Sequence, residues 1–251
     1  MDIGGLLYRI GEGAEKLWRR MADAIMEVVR PRPSQVPPGL RLTRRLVRNR
    51  FTVHEWMSLH LQLVFFAYLL GGFLLAVLTG DPLLVLVFSV PFSLYLRWFL
   101  GKYREFLIDS ESYWAFYRGI FLLVFAGLEG YCVLKRIGGR IEYYYAFVGV
   151  VALMVALFRH HFRHRYGRDY TYGIVEEVKN DLVRVFVYDD IAANVRPGYH
   201  WLPAVPDAEP GRVVKILVEE RTLRSARPVR IIEVYLDQSS QTETEPKEAT
   251  E

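Results

Sequence analysis

Cysteine is nearly absent: Cys132 is the only one in 251 residues. That excludes an internal disulfide framework and any CxxC metal or redox motif, since both need paired thiols. A lone cysteine in an apolar stretch reads as a small packing residue. Asparagine and glutamine are also few, three and four respectively. That balance, with abundant Arg, Glu, Val and Leu, is met in thermophile proteins. Catalytic signatures are missing as well. Ser110 and Ser112 stand in no GxSxG elbow, Cys132 has no positioned base, and there is no HExxH. No glycine-rich loop follows a strand as a phosphate cradle requires. The first thirty residues mix charged and apolar groups throughout, so no cleavable signal peptide is expected.

What is present is unevenly spread. The chain is 52% hydrophobic and 24% charged, too apolar for a typical soluble protein. The apolar residues concentrate between Met57 and Phe158, and the charges flank that zone. Four stretches within it read as membrane spans: 57–79, 83–100, 113–134 and 143–158. A hydrocarbon core of ~30 Å needs ~20 residues of helix at ~1.5 Å per residue, and the longer stretches meet that length. Pro91 is expected to kink the second, because proline removes a helical amide donor. Tyr143, Tyr144 and Tyr145 open the fourth and suit an interfacial belt. The TGDP turn between the first two is too short for anything but an antiparallel helical hairpin.

Ahead of the spans, Leu6, Leu7, Ile10, Leu17, Trp18, Met21, Ile25 and Val28 recur at three- and four-residue steps. This is the stripe of an amphipathic helix that packs on its own protein or lies in a membrane interface. It should stop at PRPSQVPPG. After the spans, TYGIVEEV, LVRVFVY, VVKILVEE and PVRIIEVYL read as four strands. KND and RTLRSAR are the short connections, and a long one runs between the pairs. Asp189 and Asp190 lack calcium-loop spacing and are expected to cap the short IAAN turn. The expected fold is therefore a membrane α-helical bundle of four transmembrane helices plus a small cytoplasmic all-β, barrel-like domain. Its divisions are a helix over 1–30, a Pro-rich and basic segment over 31–56 and a transmembrane domain over 57–158. A basic His/Arg junction over 159–168, a β domain over 169–238 and a disordered acidic tail over 239–251 follow.

Basic residues set the expected orientation. With the N-terminus in the cytoplasm, twelve Lys/Arg flank the spans on that side: Arg41, Arg44, Arg45, Arg48, Arg50, Arg97, Lys102, Arg104, Arg159, Arg163, Arg165 and Arg168. The outer turns hold only Lys135, Arg136 and Arg140. This bias, with an even number of spans, predicts a multi-pass cell-membrane protein with both termini inside. Residues 1–168 carry net +10 and residues 169–238 net −3. The positive charge thus belongs to the membrane edge. Anionic lipid headgroups are its expected partner, through Arg44, Arg45, Arg48, Arg50, Arg159 and Arg163, and nucleic acid is not.

Two features could carry chemistry, the histidine run and Glu129. RHHFRHRYGR, residues 159–168, packs three histidines among four arginines. His160 and His164 share a helix face and could both ligate zinc, with His54, Glu55 or His60 as a third ligand; interfacial anchoring is the plainer reading. Glu129 is the one acid well inside a span. An intramembrane charge marks a functional site by default, unless Lys135, Arg136 or one of Tyr143–Tyr145 relieves it. Ala126 with Gly130, and Ala152 with Ala156, form small-xxx-small pairs that let helices pack closely or dimerise. Arg118, five positions into its span, reads as snorkelling.

YGIVEEVKNDLVRVFV, DDIAANVRPGY and VVKILVEERTLRSARP, following four spans, resemble an archaeal family of predicted membrane proteins of unknown function, DUF2101. The resemblance covers most of the chain and implies no activity, cofactor or catalytic residue. More loosely, GIVEEVKNDLVRVFV followed by RPG is similar to the opening of small OB- or SH3-like barrels. The leading functional expectation is a non-enzymatic, membrane-anchored interaction or scaffold protein, oligomeric or holding a protein partner through residues 169–238. The alternatives are a channel or transporter subunit using Glu129, and a metal-dependent membrane enzyme using His160 and His164.

Overall fold

The computed structural model describes residues 3–39, 53–138, 140–221 and 224–235. Five long helices come first: α1 (Ile3–Val29), α2 (Val53–Thr79), α3 (Pro82–Lys102), α4 (Ser110–Arg136) and α5 (Ile141–Tyr166). Five strands follow: β1 (Tyr170–Lys179), β2 (Leu182–Val187), β3 (Gly198–Pro203), β4 (Val213–Arg221) and β5 (Arg224–Tyr235). The helices α2 to α5 are each long and apolar enough to cross a membrane. The chain divides into two compact units: Met1–Arg48 with Leu59–Phe158, and Asn49–Ser58 with Arg159–Glu251.

In the helical unit, α1 stops where proline begins, as expected. The α2–α3 turn is built by Gly80 at φ +64° and by Asp81, whose carboxylate accepts from the Leu83 amide at 3.0 Å. Pro82 then fills the first helical position, where its missing N–H costs nothing. The helix continues through Pro91 to Lys102. Asp109 caps α4 in the same way through the Ser112 amide.

The spans pack through rings and small residues. Tyr68 of α2 stacks on Phe92 of α3 at 4.2 Å, lies 5.4 Å from Phe121 of α4, and shares a 3.0 Å hydrogen bond with Ser89. Cys132 is buried in that cluster with Ala76, Val85 and Leu128, as a packing residue. The contact between α4 and α5 is made at two glycines three turns apart. A Cβ on Gly119 would lie 2.1 Å from Phe158, and one on Gly130 would lie 2.8 Å from Phe147. Where lipid offers the same apolar contact as protein, such close fits supply the packing gain.

The second unit is an antiparallel sheet in the order β3-β2-β1-β4-β5, curled into a half-barrel. Its concave face buries Val175, Val183, Val185, Val187, Leu202, Val214, Ile216 and Ile231. The curl brings the 191–194 turn to β5, where Ala226 N donates to Asn194 O at 2.8 Å. Lys179 and Leu182 close the first hairpin around Asn180, at φ 52°, and Asp181. Asparagine tolerates that left-handed conformation better than most residues.

Two expectations about strands need correction. Among the described residues there are five, not four: GYHWLP in the long connection pairs along all of β2. RTLRSAR is mostly strand, since β4 runs to Arg221 and β5 starts at Arg224. The helix that carries the fourth span continues beyond the apolar run at Phe158, to Tyr166. The expected acidic tail over 239–251 lies outside the described residues.

Candidate functional site

Alternation along β2 and β3 sends valine and leucine inward and a different set outward. Register pairs Leu182 with Pro203, Arg184 with Trp201 and Phe186 with Tyr199 on the convex face. Tyr199 is 60% exposed and Trp201 47%. The Arg184 guanidinium lies 5.5 Å from the Tyr199 ring centre and 6.0 Å from that of Trp201. It also pairs with Glu176 at 3.2 Å and Glu177 at 3.4 Å. Two consecutive glutamates on a flat strand would point to opposite faces. The bulge between Val175 and Glu177 lets both carboxylates reach Arg184. The result is an exposed patch of Tyr, Trp and Arg, the residue types that dominate protein-binding hot spots. The patch is not legible in the sequence, because GYHWLP lacks the aliphatic residues of a strand and only β2 gives it a register.

The sheet's buried polar centre is Asp190, 1% exposed. Its carboxylate accepts from Arg168 at 3.2 and 3.3 Å, from Thr171 Oγ1 at 2.8 Å and from the Ala193 amide at 3.1 Å. The last bond caps the IAAN turn, as expected. The neighbouring Asp189 serves the start of α2: His54 donates to its carbonyl at 2.7 Å, and Ser58 donates to its carboxylate. Tyr188 lies edge-on to His54 at 6.0 Å. Burial raises the pKa of its phenol, and the Glu55 charge adds to the effect. The half-barrel is thus bound to residues 53–58, within the same compact unit.

His160 and His164 sit exposed on the last turns of α5. Of the proposed third ligands, His54 is engaged at Asp189, and His60 is hydrogen-bonded to the Tyr95 hydroxyl at 2.5 Å. Among the described residues no group of three or more His, Cys, Asp or Glu could hold a metal ion. Arg163 pairs with Glu220, and Arg159 is exposed. Arg44, Arg45, Arg48 and Arg50 lie outside the described residues. Gly130 packs on Phe147, whereas Ala126, Ala152 and Ala156 are exposed and Arg118 is exposed.

Glu129 is not relieved as expected. Lys135 donates to the Val77 carbonyl and Arg136 pairs with Asp81 at 2.8 Å, both on the α2–α3 hairpin. Tyr144 packs its ring against Tyr131. Glu129 Oε1 is left buried with no hydrogen-bond partner among the described residues.

Four candidate spans followed by a C-terminal half-barrel define a multi-pass membrane protein. Residues 25–232 match the family described as predicted membrane protein, DUF2101, and the chain belongs to that family. No curated protein and no solved structure matches it.

Proposed function

We propose that the protein is a membrane-anchored scaffold whose half-barrel faces the cytoplasm and holds a protein partner on its convex β2–β3 face. The observation that carries this reading is the exposed Arg184–Tyr199–Trp201 patch on the β2–β3 face of the sheet. Aromatic rings present large contact area at little entropic cost, and Arg184 is already ordered by two glutamates. The cytoplasmic assignment is supported by the twelve-to-three bias in flanking basic residues. Anionic headgroups on the basic side and self-association of the spans belong to the same proposal.

The test is cross-linking and co-purification of the full-length protein from native membranes. Trp201→Ala is expected to lower partner recovery at least tenfold, a loss of about 1.4 kcal/mol or more for a hot-spot residue. Both Trp201→Ala and Tyr199→Ala recovering the same partners at wild-type levels would refute the reading.

A second reading, an ion- or proton-conducting subunit, is favoured by the buried, unpartnered oxygen of Glu129. It predicts flux in proteoliposomes that Glu129→Gln abolishes. Absence of flux in the wild type, or flux unaltered in the variant, would remove it. The metal-enzyme reading keeps only the two exposed histidines and is tested by metal analysis of the purified protein before and after His160→Ala with His164→Ala.

A further inference from the structure

At the end of α3 that carries Arg97 and Lys102, the helical unit contains an open cavity of about 410 Å³. Pro31 walls it from the segment after α1, Arg97 from α3, Arg104 from the following single turn, and Ser110, Glu111 and Trp114 from the start of α4. The Pro31 wall is fixed. Lys102 pairs with Glu27 at 2.6 Å, the Ser34 amide donates to the Lys102 carbonyl at 2.8 Å, and Pro31 occupies the space that Gly101 leaves by having no Cβ.

The two guanidinium groups differ in what they can still bind. Arg97 is held by Nε and Nη2, which donate to the Val29 carbonyl at 3.0 and 2.9 Å. Its Nη1 has no partner among the described residues. Arg104 is exposed and makes no ion pair among them. One pre-oriented and one free guanidinium suit the oxygens of a phosphate, which arginine binds through charge-assisted hydrogen bonds. Trp114 adds the ring type that settles at headgroup level. The depth agrees, because the cavity lies where two candidate spans end and begin. Glu111 selects within the class. Its carboxylate is exposed at the cavity and would repel a doubly charged phosphate more than a singly charged diester.

We propose that this cavity binds the phosphodiester of a membrane-lipid headgroup, with Arg97 and Arg104 on the phosphate oxygens and Glu111 disfavouring phosphomonoesters and free phosphate. The proposal rests on the membrane assignment and not on the scaffold reading, so the Trp201→Ala variant retains lipid binding. Full-length protein, delipidated in detergent, is titrated with phosphatidylglycerol, phosphatidic acid and diacylglycerol by native mass spectrometry, and with inorganic phosphate by calorimetry. Phosphatidylglycerol is expected to bind at least tenfold more tightly than diacylglycerol, and also more tightly than phosphatidic acid or phosphate. Arg104→Gln removes that advantage over diacylglycerol. Glu111→Gln raises the affinity for phosphatidic acid, a gain that an unfolded variant could not show. Phosphatidylglycerol bound no better than diacylglycerol, or equally well by Arg104→Gln, overturns the proposal. Inorganic phosphate bound as tightly as the lipid overturns the assignment of the source to a lipid.

Discussion

At the residue scale, the most consequential side chain is one that motif reading treats as a turn cap. Asp190 does cap the IAAN turn, but it also joins Arg168, at the end of the basic run, to Thr171 on β1. Replacing it with alanine would remove the buried carboxylate that accepts from the Arg168 guanidinium, Thr171 and the Ala193 amide. Loss of one member of a buried pair costs ~3–5 kcal/mol. Asp190→Ala is therefore expected to unfold the half-barrel at markedly lower denaturant, read from tryptophan fluorescence of the full-length protein in detergent. Asp190→Asn, which keeps an acceptor, should lose less; equal midpoints for Asp190→Ala and the wild type would show that the network carries no stability. Glu129 teaches the opposite lesson. Its charge is conspicuous in the sequence, but the cations expected to relieve it are committed to Val77 and Asp81. Sequence distance could not reveal that competition.

At the element scale, the spans were legible because length and apolarity alone define them, whatever they pack against. The strand β3 was not. GYHWLP has one aliphatic residue, lies between prolines and carries Pro203 at its last position. It is a strand because β2 offers it a partner, and an edge position tolerates the proline. The end of α5 lies beyond the apolar run for a related reason. Apolarity stops at Phe158, but helical geometry does not depend on apolarity, and arginine is a good helix former. What ends the helix is Gly167, whose amide bonds Arg163 O at 2.9 Å and whose added Cβ would lie 2.3 Å from that same oxygen. Because the obstacle is backbone, it cannot swing aside. Gly167→Ala is expected to cost roughly 1–3 kcal/mol, as overpacking does, and to lower the unfolding temperature in detergent. Gly138→Ala is not an equivalent control, since Gly138 sits at φ +69°. Gly127→Ala, with open space around it, is expected to change little.

At the scale of the whole molecule, the same scarcity of cysteine that excluded disulfides makes the orientation measurable. Cys132 is fully buried, so single cysteines placed elsewhere report cleanly. With both termini inside, Asp181→Cys in the β1–β2 hairpin should be shielded from a membrane-impermeant maleimide in intact cells and react after permeabilisation. Ile137→Cys, between α4 and α5 and well exposed, should react in intact cells. The reverse pattern would place the half-barrel outside and end the cytoplasmic scaffold reading.

The sequence by itself determined the four spans, the bias in flanking charge, the β character of the C-terminal part and the family. The first three follow from local composition or periodicity, which a single chain displays without folding, and the family from the resemblance of particular stretches. Only the tertiary structure decided that five strands curl into a half-barrel, that Arg184 meets Tyr199 and Trp201 on its convex face, and that Arg97 and Arg104 line one cavity. It also decided which carboxylates keep a partner: Asp190 accepts four hydrogen bonds, and among the described residues one Glu129 oxygen has none. The physical reason is common to all of these. They depend on which distant donor, ring or cation arrives first at a given acceptor, and that is settled by packing in three dimensions.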